Sequence, residues 1–426
     1  MAMHEKTPGS GRLAGWRRRP CRGGLSARQG HVKGPPEHRT APTSLLVGVV
    51  WVGVVACETE EPEPTGPLTL DDSYSELAPE LEPTIDGEEA LLSPVDWVGA
   101  SSQGILALLE PQHQEVRLFD GHGEETDAVG GQGEGPGEFE SVSRIGWKGD
   151  TLWVADHRLD RVSVFSPDFE LDRTITHHES SEISSFQAHA LLAGDTVIGS
   201  GWPSDADMRV DDEVLVRMTD EGQEHEVLTE VPQRDDGTVH VMADVGIFAT
   251  PVPFTRPVHW SLSPNASRIV VVEPEFDDPE SEPDTGHLVV TVLNERGERH
   301  SHREIPFDAE PITSQAADSA IQEHAEDLPD ADAREEYEEA VRELLPPAHP
   351  PVEDLVVGSD HSIWLRLRPE DDGQIPWLML DPDGEPQARL MLSEDEALHS
   401  AGEGELWLTR VDETDVPSVI RGTFSP

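Results

Sequence analysis

The sequence predicts an all-β fold in which six similar four-stranded sheets form a closed ring. Two observations predict it: a strand signature recurs along the chain, and most of its copies follow one another at a nearly constant spacing. In agreement with them, a second apolar strand follows each copy, usually with a turn after it. A sheet of this kind cannot bury both faces alone, so repeated copies stack side by side.

Each copy of the signature begins with a polar or glycine-containing turn and continues as an apolar run that favours β-structure. The clearest copy is GDTLWVAD at 149–156, and similar segments lie at 361–367 and 404–410. Weaker copies lie at 103–108, 194–199 and 267–272. We interpret the aligned residues as a repeated core in which the tryptophans pack between sheets. These residues are Leu106, Trp153, Ile198, Val270, Trp364 and Trp407.

The aligned positions are separated by 47, 45, 72, 94 and 43 residues, so the two long intervals indicate insertions. The longer one contains 312–345, where Tyr337, Val341 and Leu344 recur at helical spacing. This predicts a pair of helices, either packed on one rim of the ring or serving as a lid or partner-binding surface. The other insertion, 231–257, is predicted to be a long loop with one hairpin.

The last copy, which ends at 419–424, stops before its outer strand, while residues 68–92 precede the first copy without a partner. We therefore expect the N-terminal segment to complete the last sheet, which would close the ring and remove exposed sheet edges. Six four-stranded units of about 45 residues match the blades of a β-propeller. The predicted fold is a six-bladed β-propeller over residues 68–426, closed by the N-terminal strand, with a helical insertion between blades 4 and 5.

The segment 127–139, which contains GQGEGPGEF, resembles the inter-blade segment of NHL-type propellers. It is most similar to that of bacterial six-bladed propeller lipoproteins of uncharacterised function. The resemblance implies a fold and no particular chemistry. The glycine run is not a phosphate-binding loop, because it lacks the required Lys and Ser/Thr and is flanked by glutamates.

The N-terminus predicts export and lipid anchoring. Basic residues precede an apolar run at 45–55 that is too short to span about 30 Å of hydrocarbon, as is typical of a signal peptide over 1–56. The run ends in VVAC at 54–57, which resembles the bacterial lipobox and implies that Cys57 is lipidated. An acidic, proline-rich tether follows at 57–67. Glu58, in place of Asp, favours the outer membrane of the cell envelope over the inner.

Charge is distributed very unevenly. Residues 1–56 hold nine Lys/Arg and two Asp/Glu, whereas the rest of the chain holds 21 basic and 84 acidic residues. Such a surface repels phosphate backbones, which argues against nucleic-acid binding. Lys148 is the only lysine after residue 56. We interpret the acidity and scarcity of lysine as halophilic adaptation, although a GC-rich genome would also favour arginine.

No catalytic, cofactor-binding or metal site is predicted. The only cysteines are Cys21 and Cys57, and no G-x-S-x-G elbow occurs. The histidines are scattered, with His177-His178, His300 and His302 expected near blade edges. Lactonases of the senescence-marker type hold a divalent cation with Glu, Asn and Asp. The two asparagines here fall in predicted hairpin turns, so that site is not visible.

The sequence therefore favours a cell-envelope lipoprotein whose propeller binds a protein, peptide or glycan without catalysing a reaction. The alternative is a lactonase-like hydrolase or lyase with a divalent cation in the central channel. A structural role within a larger envelope complex is a third interpretation. Fold alone does not decide between them.

Overall fold

The computed structural model describes residues 74–177, 183–203, 213–219, 224–230, 237–243, 246–255, 258–276, 285–370 and 373–425. The regular structure of these ranges is mostly β-strand, with three α-helices. None of these helices has the length and apolar composition needed to cross a membrane. The predicted signal peptide, Cys57 and the tether lie outside the described residues.

Four-stranded antiparallel sheets form the first half of the ring, each with its strands in chain order. They are preceded by β1 (Ser75–Leu77), β2 (Glu80–Ile85) and the short helix α1 (Gly87–Ala90). Blade 1 consists of β3 (Trp97–Ala100), β4 (Leu106–Glu110), β5 (Glu115–Phe119) and β6 (Glu125–Gly130). Blade 2 consists of β7 (Val142–Lys148), β8 (Thr151–Asp156), β9 (Arg161–Phe165) and β10 (Leu171–Thr176). Blade 3 consists of β11 (Ile183–Leu191), β12 (Val197–Pro203), β13 (Val214–Thr219) and β14 (Glu224–Glu230).

The second half contains both insertions. The first is a hairpin of β15 (Thr238–Ala243) and β16 (Gly246–Pro251). Blade 4 follows, with β17 (His259–Leu262), β18 (Arg268–Phe276), β19 (Thr285–Asn294) and β20 (Arg299–Asp308). The second insertion consists of α2 (Ser314–Glu326) and α3 (Ala331–Leu344). Blade 5 has β21 (Val352–Val357), β22 (Ile363–Leu367), β23 (Gln374–Leu380) and β24 (Pro386–Ser393). Blade 6 has β25 (Glu396–Gly402), β26 (Glu405–Val411) and β27 (Pro417–Thr423).

The N-terminal segment supplies the missing strand of blade 6. Strand β2 pairs antiparallel with β27, so that Glu80 lies opposite Thr423. This confirms the predicted six-bladed propeller and its closing strand. Strand β1 was not predicted: it adds to the outer edge of blade 5, parallel to β24.

Apolar clusters hold neighbouring blades together. Six of the clusters among the described residues each lie between two adjacent blades, and together they run around the whole ring. The cluster between blades 6 and 1 joins Ile85, Trp407 and Val419 to Leu106 and Phe119. The blades are therefore joined through packed side chains, as expected for sheets that are apolar on both faces.

The glycine-rich segment forms a compact loop against blade 2. Arg161 donates hydrogen bonds to the backbone carbonyls of Glu134, Gly135 and Glu138, at 2.6–3.2 Å. Gly130 has a φ of +111°, and a Cβ there would meet the buried Phe139 ring at 2.6 Å. Glycine is thus required for both conformation and space at this position, which explains the motif without a ligand.

The two insertions pack on each other. Ile321, Tyr337 and Val341 of the helices share an apolar cluster with Val239 and Val241 of the hairpin. The Tyr337 hydroxyl donates a 2.6 Å hydrogen bond to the Pro251 carbonyl, and burial raises its pKa to about 12. Side-chain oxygens of Thr313 and Asp330 cap the two helices. The helical pair and the hairpin therefore form one module.

Candidate functional site

The first strand of each blade lies nearest the ring axis. First strands of successive blades contact one another, as β3 does β7 and β25, and β21 does β17 and β25. The space enclosed by these strands is the central channel of the propeller. Side chains that they expose toward the axis are the candidates for a binding or catalytic site.

Strand register brings ionisable side chains to one level of this channel. The residues opposite the aligned signature positions are Ala100, Gly146, Ala190, Ser261, Val356 and Ser400. Five of the six first strands carry an ionisable residue one or two positions before this point. We call these five residues the channel layer. They are Arg144, His189, His259, Asp354 and His399.

Two of the histidines occupy β-bulges. His189 is the extra residue between Ala188 and Ala190, and His399 is the extra residue between Leu398 and Ser400. A bulge re-aims a side chain and is frequent next to active sites. The His189 Nε2 lies 2.8 Å from the buried Ser200 hydroxyl, and the His399 Nε2 lies 2.8 Å from the Thr409 hydroxyl. Blades 3 and 6, opposite one another in the ring, thus carry the same histidine–hydroxyl pair.

All three histidines are held neutral at pH 7. Burial lowers the pKa of His189 well below its ordinary value, and the neighbouring Arg144 lowers it further. Burial lowers the pKa of His399 to about 4, although a backbone hydrogen bond with Asp96 and the charge of Asp354 oppose the shift. Burial also lowers the pKa of His259, again against the influence of Asp354. Asp354 is therefore close to two of the histidines.

His259 has a defined tautomer. Its Nε2 lies 3.1 Å from the Val352 carbonyl oxygen. A carbonyl oxygen only accepts, so Nε2 carries the proton and the neutral ring keeps a lone pair on Nδ1. The ring can therefore accept a proton at Nδ1, as a general base does.

Arg144 is the cation of the channel layer. It is exposed by surface area, yet loss of hydration lowers its pKa. The two observations agree if the guanidinium lines a water-accessible channel that protein surrounds on most sides. Among the described residues Arg144 has no hydrogen-bond or ion-pair partner, whereas Arg117 is bound by both Glu110 and Glu125.

The low pKa of His399 predicts a pH dependence of stability. The unfolded chain protonates this histidine below about pH 6.5, whereas the native protein does so only near pH 4. Lowering the pH from 8 to 4 therefore favours the unfolded state by about 3 kcal/mol from this residue. Comparison with His399→Gln isolates the effect from other titrating groups. The variant's free energy of unfolding, relative to wild type, should rise by that amount over this range; parallel pH profiles would contradict the prediction.

The residues singled out in the sequence lie elsewhere. The six aligned residues Leu106, Trp153, Ile198, Val270, Trp364 and Trp407 are all buried on the second strand of their blades. His177 is buried and stacks on Phe186 with ring centroids 5.0 Å apart, while His178 lies outside the described residues. His300 pairs with Asp383 at 3.1 Å, and His302 lies 3.7 Å from Glu304.

The residues of the channel layer are regularly placed within the sequence repeat. Each of its five members precedes an aligned signature residue by eight to eleven positions, as His399 precedes Trp407 and Arg144 precedes Trp153. The three histidines therefore occupy similar positions when each is counted back from the aligned signature residue of its own blade. That numbering requires the first strand and its bulges to be placed, which residue spacing alone does not do.

The described residues do not form a metal site. They include no group of three His, Cys, Asp or Glu side chains close enough to hold an ion. Both asparagines complete hairpin turns, Asn265 through Ser267 and Asn294 through Arg296. The donors of a lactonase-type cation site are therefore not assembled in this part of the chain.

Comparison with known proteins finds solved structures of low sequence identity to this chain. No protein-family model and no curated protein matches the chain. Among solved structures, a gluconolactonase from Xanthomonas campestris is 11% identical, with 85% of this chain and 99% of that one covered and a TM-score of 0.42. A DUF4221 family member from Bacteroides vulgatus is 10% identical, covering 83% and 99%, with a TM-score of 0.46. A virginiamycin B lyase from Staphylococcus aureus is 10% identical, covering 82% and 100%, with a TM-score of 0.40.

The chain is a six-bladed β-propeller, and its blades are defined by its own strand pairings. At these identities and TM-scores, neither the activities nor the ligands of the matched proteins transfer to it.

Proposed function

We propose that this protein is a lipid-anchored protein of the bacterial cell envelope whose propeller channel binds a small ligand carrying an anionic group. The observation that carries the proposal is that Arg144, on the innermost strand of blade 2, has no hydrogen-bond or ion-pair partner among the described residues. An arginine that lines a channel without a protein partner gains charge-assisted hydrogen bonds when an anion binds to it. A ligand carboxylate or phosphate would supply that partner, because both accept paired hydrogen bonds from arginine.

The acidic composition of the chain makes the lack of a protein partner for Arg144 informative. Beyond residue 56 the acidic residues outnumber the basic ones by 84 to 21. Other arginines pair readily, including Arg366 with Glu353 at 3.0 Å and Arg217 with Glu226 at 2.8 Å. No carboxylate among the described residues lies close enough to raise the pKa of Arg144. The guanidinium is therefore available to a ligand.

The neutral histidines complete a polar site. His189 has a buried Nδ1 with no hydrogen-bond partner among the described residues, and its ring meets the Trp260 ring edge-on at 4.6 Å. A neutral imidazole can donate or accept one hydrogen bond at each nitrogen. A few polar groups beside an aromatic ring are typical of small-molecule sites. A protein, peptide or glycan partner would then present a small anionic group to the channel.

The envelope location rests on the sequence features around Cys57. In the lipoprotein pattern that cysteine becomes the acylated first residue of the mature chain, and more than one acyl chain makes membrane attachment stable. The acidic tether at 57–67 would hold the propeller away from an anionic membrane surface. Membrane attachment and ligand binding are thus assigned to separate parts of the chain.

A second candidate function is a metal-independent lyase or hydrolase. It is favoured by His259, whose Nδ1 lone pair and neutral state at pH 7 suit a general base. Arg144 would orient the anionic group of the substrate and stabilise negative charge that develops in the transition state. The cation-dependent alternative, a lactonase-like enzyme, lacks its ligand set among the described residues.

Substitution of Arg144 tests the binding proposal. Wild type, Arg144→Gln and the control Arg410→Gln are titrated calorimetrically with acetate, succinate, inorganic phosphate and sulfate. Arg410 is a matched control because it pairs with Glu396 in blade 6 and lies outside the channel layer. A hydrogen-bonded charge contributes about 1.5–3 kcal/mol, so Arg144→Gln should weaken binding by about 10- to 100-fold. The control should bind as wild type does.

Two results would overturn the proposal: no ligand that carries an anionic group binds wild type, or Arg144→Gln binds as tightly as the control. Turnover assays with lactone and ester substrates test the second candidate function. Hydrolysis that survives chelator treatment and is lost in His259→Gln would support the metal-independent enzyme. Activity abolished by chelator would instead support the cation-dependent enzyme.

A further inference from the structure

The channel layer contains one anion as well as one cation, and they belong to opposite blades. Arg144 is in blade 2 and Asp354 in blade 5 of a six-bladed ring, so the two strands face each other across the axis. Both residues stand two positions before the residue that pairs with the aligned signature position. They therefore lie at the same level along the channel, on opposite walls.

Neither charge is neutralised by a neighbour in the described structure. Asp354 accepts a hydrogen bond from the Leu355 backbone at 2.7 Å and has no arginine or lysine partner among the described residues. Its neighbour Glu353 is paired with Arg366 at 3.0 Å. No ion pair joins Arg144 to Asp354 among the described residues. The opposing walls of the channel thus carry opposite charges.

The three histidines do not cancel this polarity. His259 and His399, which lie near Asp354, and His189, which lies near Arg144, are all neutral at pH 7 because burial lowers the pKa of each. Asp354 therefore faces no imidazolium, and Arg144 remains the one full positive charge of the layer. The field across the channel has a positive end at blade 2 and a negative end at blade 5.

We propose that the channel binds a zwitterion whose carboxylate is held by Arg144 and whose ammonium group faces Asp354 across the ring. This inference rests on the proposed function and specifies its ligand class as an amino acid or a related molecule with separated charges. The ligand dipole lies along the field, and each charged group of the ligand faces a protein charge of opposite sign. Trp260, beside His189, offers an aromatic surface near the layer.

The net charge of the protein favours a zwitterion over a simple anion. The chain carries a formal net charge of −56, and such a field slows the approach of anions and lowers their local concentration. A zwitterion has no net charge and is not repelled in this way. It can also satisfy both walls at once, whereas a simple carboxylate leaves Asp354 without a partner.

The test compares ligands that differ only in the ammonium group and in length. Glycine, β-alanine, 4-aminobutyrate and 6-aminohexanoate are titrated calorimetrically beside acetate, propionate, butyrate and hexanoate at pH 7.5. Wild type, Arg144→Gln, Asp354→Asn and the double variant are used, with near-ultraviolet circular dichroism to verify native packing. For wild type, one amino acid length should bind at least 10-fold more tightly than the carboxylate of the same length.

The variants separate the two ends of the ligand. Asp354→Asn should remove the advantage of the amino acid and leave carboxylate binding within about twofold, whereas Arg144→Gln should weaken both series. In the double variant the two losses should be less than additive for the amino acid only, because the two charges share one ligand.

Failure of this inference can be distinguished from failure of the proposed function. If carboxylates bind wild type as tightly as amino acids do, and Asp354→Asn changes neither, the zwitterion inference is wrong and the anionic-group site stands. If neither series binds wild type, and the inorganic anions also fail, both are wrong.

Discussion

Removal of β2 is expected to destroy the stable ring. A chain that begins at Asp86 lacks the outer strand of blade 6, whereas a chain that begins at residue 74 retains it. The shorter chain leaves the edge of β27 unpaired and removes Ile85, which is only 1% exposed and packs with Trp407 and Val419. Exposed strand edges promote association between chains.

The expected loss follows from two contributions. Truncation of a buried isoleucine alone costs about 2–5 kcal/mol, and each lost ladder hydrogen bond adds about 0.5–1.5 kcal/mol. The sum is comparable with the whole stability of a typical domain, about 5–15 kcal/mol. The chain that begins at Asp86 should therefore unfold at a far lower denaturant concentration and elute as oligomers in size-exclusion chromatography.

A chain that begins at residue 79 is the matched control, because it lacks β1 and keeps β2. Strand β1 is only three residues long and adds to the already complete sheet of blade 5. Its removal should cost much less than removal of β2. Equal stability of the chains that begin at 79 and 86 would show that β2 does not close the ring. Partial rescue of the shorter chain by a peptide spanning 74–93 would support closure.

The fold could be predicted because the blade repeat is expressed in short local patterns. Trp153, Trp364 and Trp407 occur in nearly identical strand contexts, and the turns between strands carry glycine, proline and aspartate. The closing strand was predictable from topology, since blade 6 ends before its outer strand. Strand β1 was not, because three exposed or half-exposed residues carry no periodic signal.

The candidate site could not be predicted for a related reason. His189 and His399 are the extra residues of β-bulges, and a one-residue shift reverses the face to which a strand residue points. Arg144 and Asp354 become opposed only when the ring is closed. Nothing near either residue in the sequence indicates the other. The packing of the helical pair on the hairpin was likewise invisible, because the two lie in separate insertions.

Replacement of Trp364 by alanine is expected to be the most damaging single substitution in the repeated core. The side chain is 0% exposed and belongs to the cluster between blades 5 and 6. Its indole nitrogen donates a 2.9 Å hydrogen bond to the Ser362 hydroxyl, and its ring meets that of Phe424 at a centroid distance of 5.9 Å. The substitution leaves a large cavity, which costs about 3–5 kcal/mol.

Met242→Ala provides the control, because Met242 is 62% exposed on the hairpin and its truncation should change stability by less than about 0.5 kcal/mol. Denaturant unfolding at fixed salt, followed by tryptophan fluorescence and by circular dichroism, measures both variants. Salt is held constant because screening of the acidic surface also changes stability. Trp364→Phe should lose only about half as much stability as Trp364→Ala, since the phenyl ring fills part of the cavity but lacks the indole donor. A loss below about 1 kcal/mol in Trp364→Ala would mean that the blades are not held together at this contact.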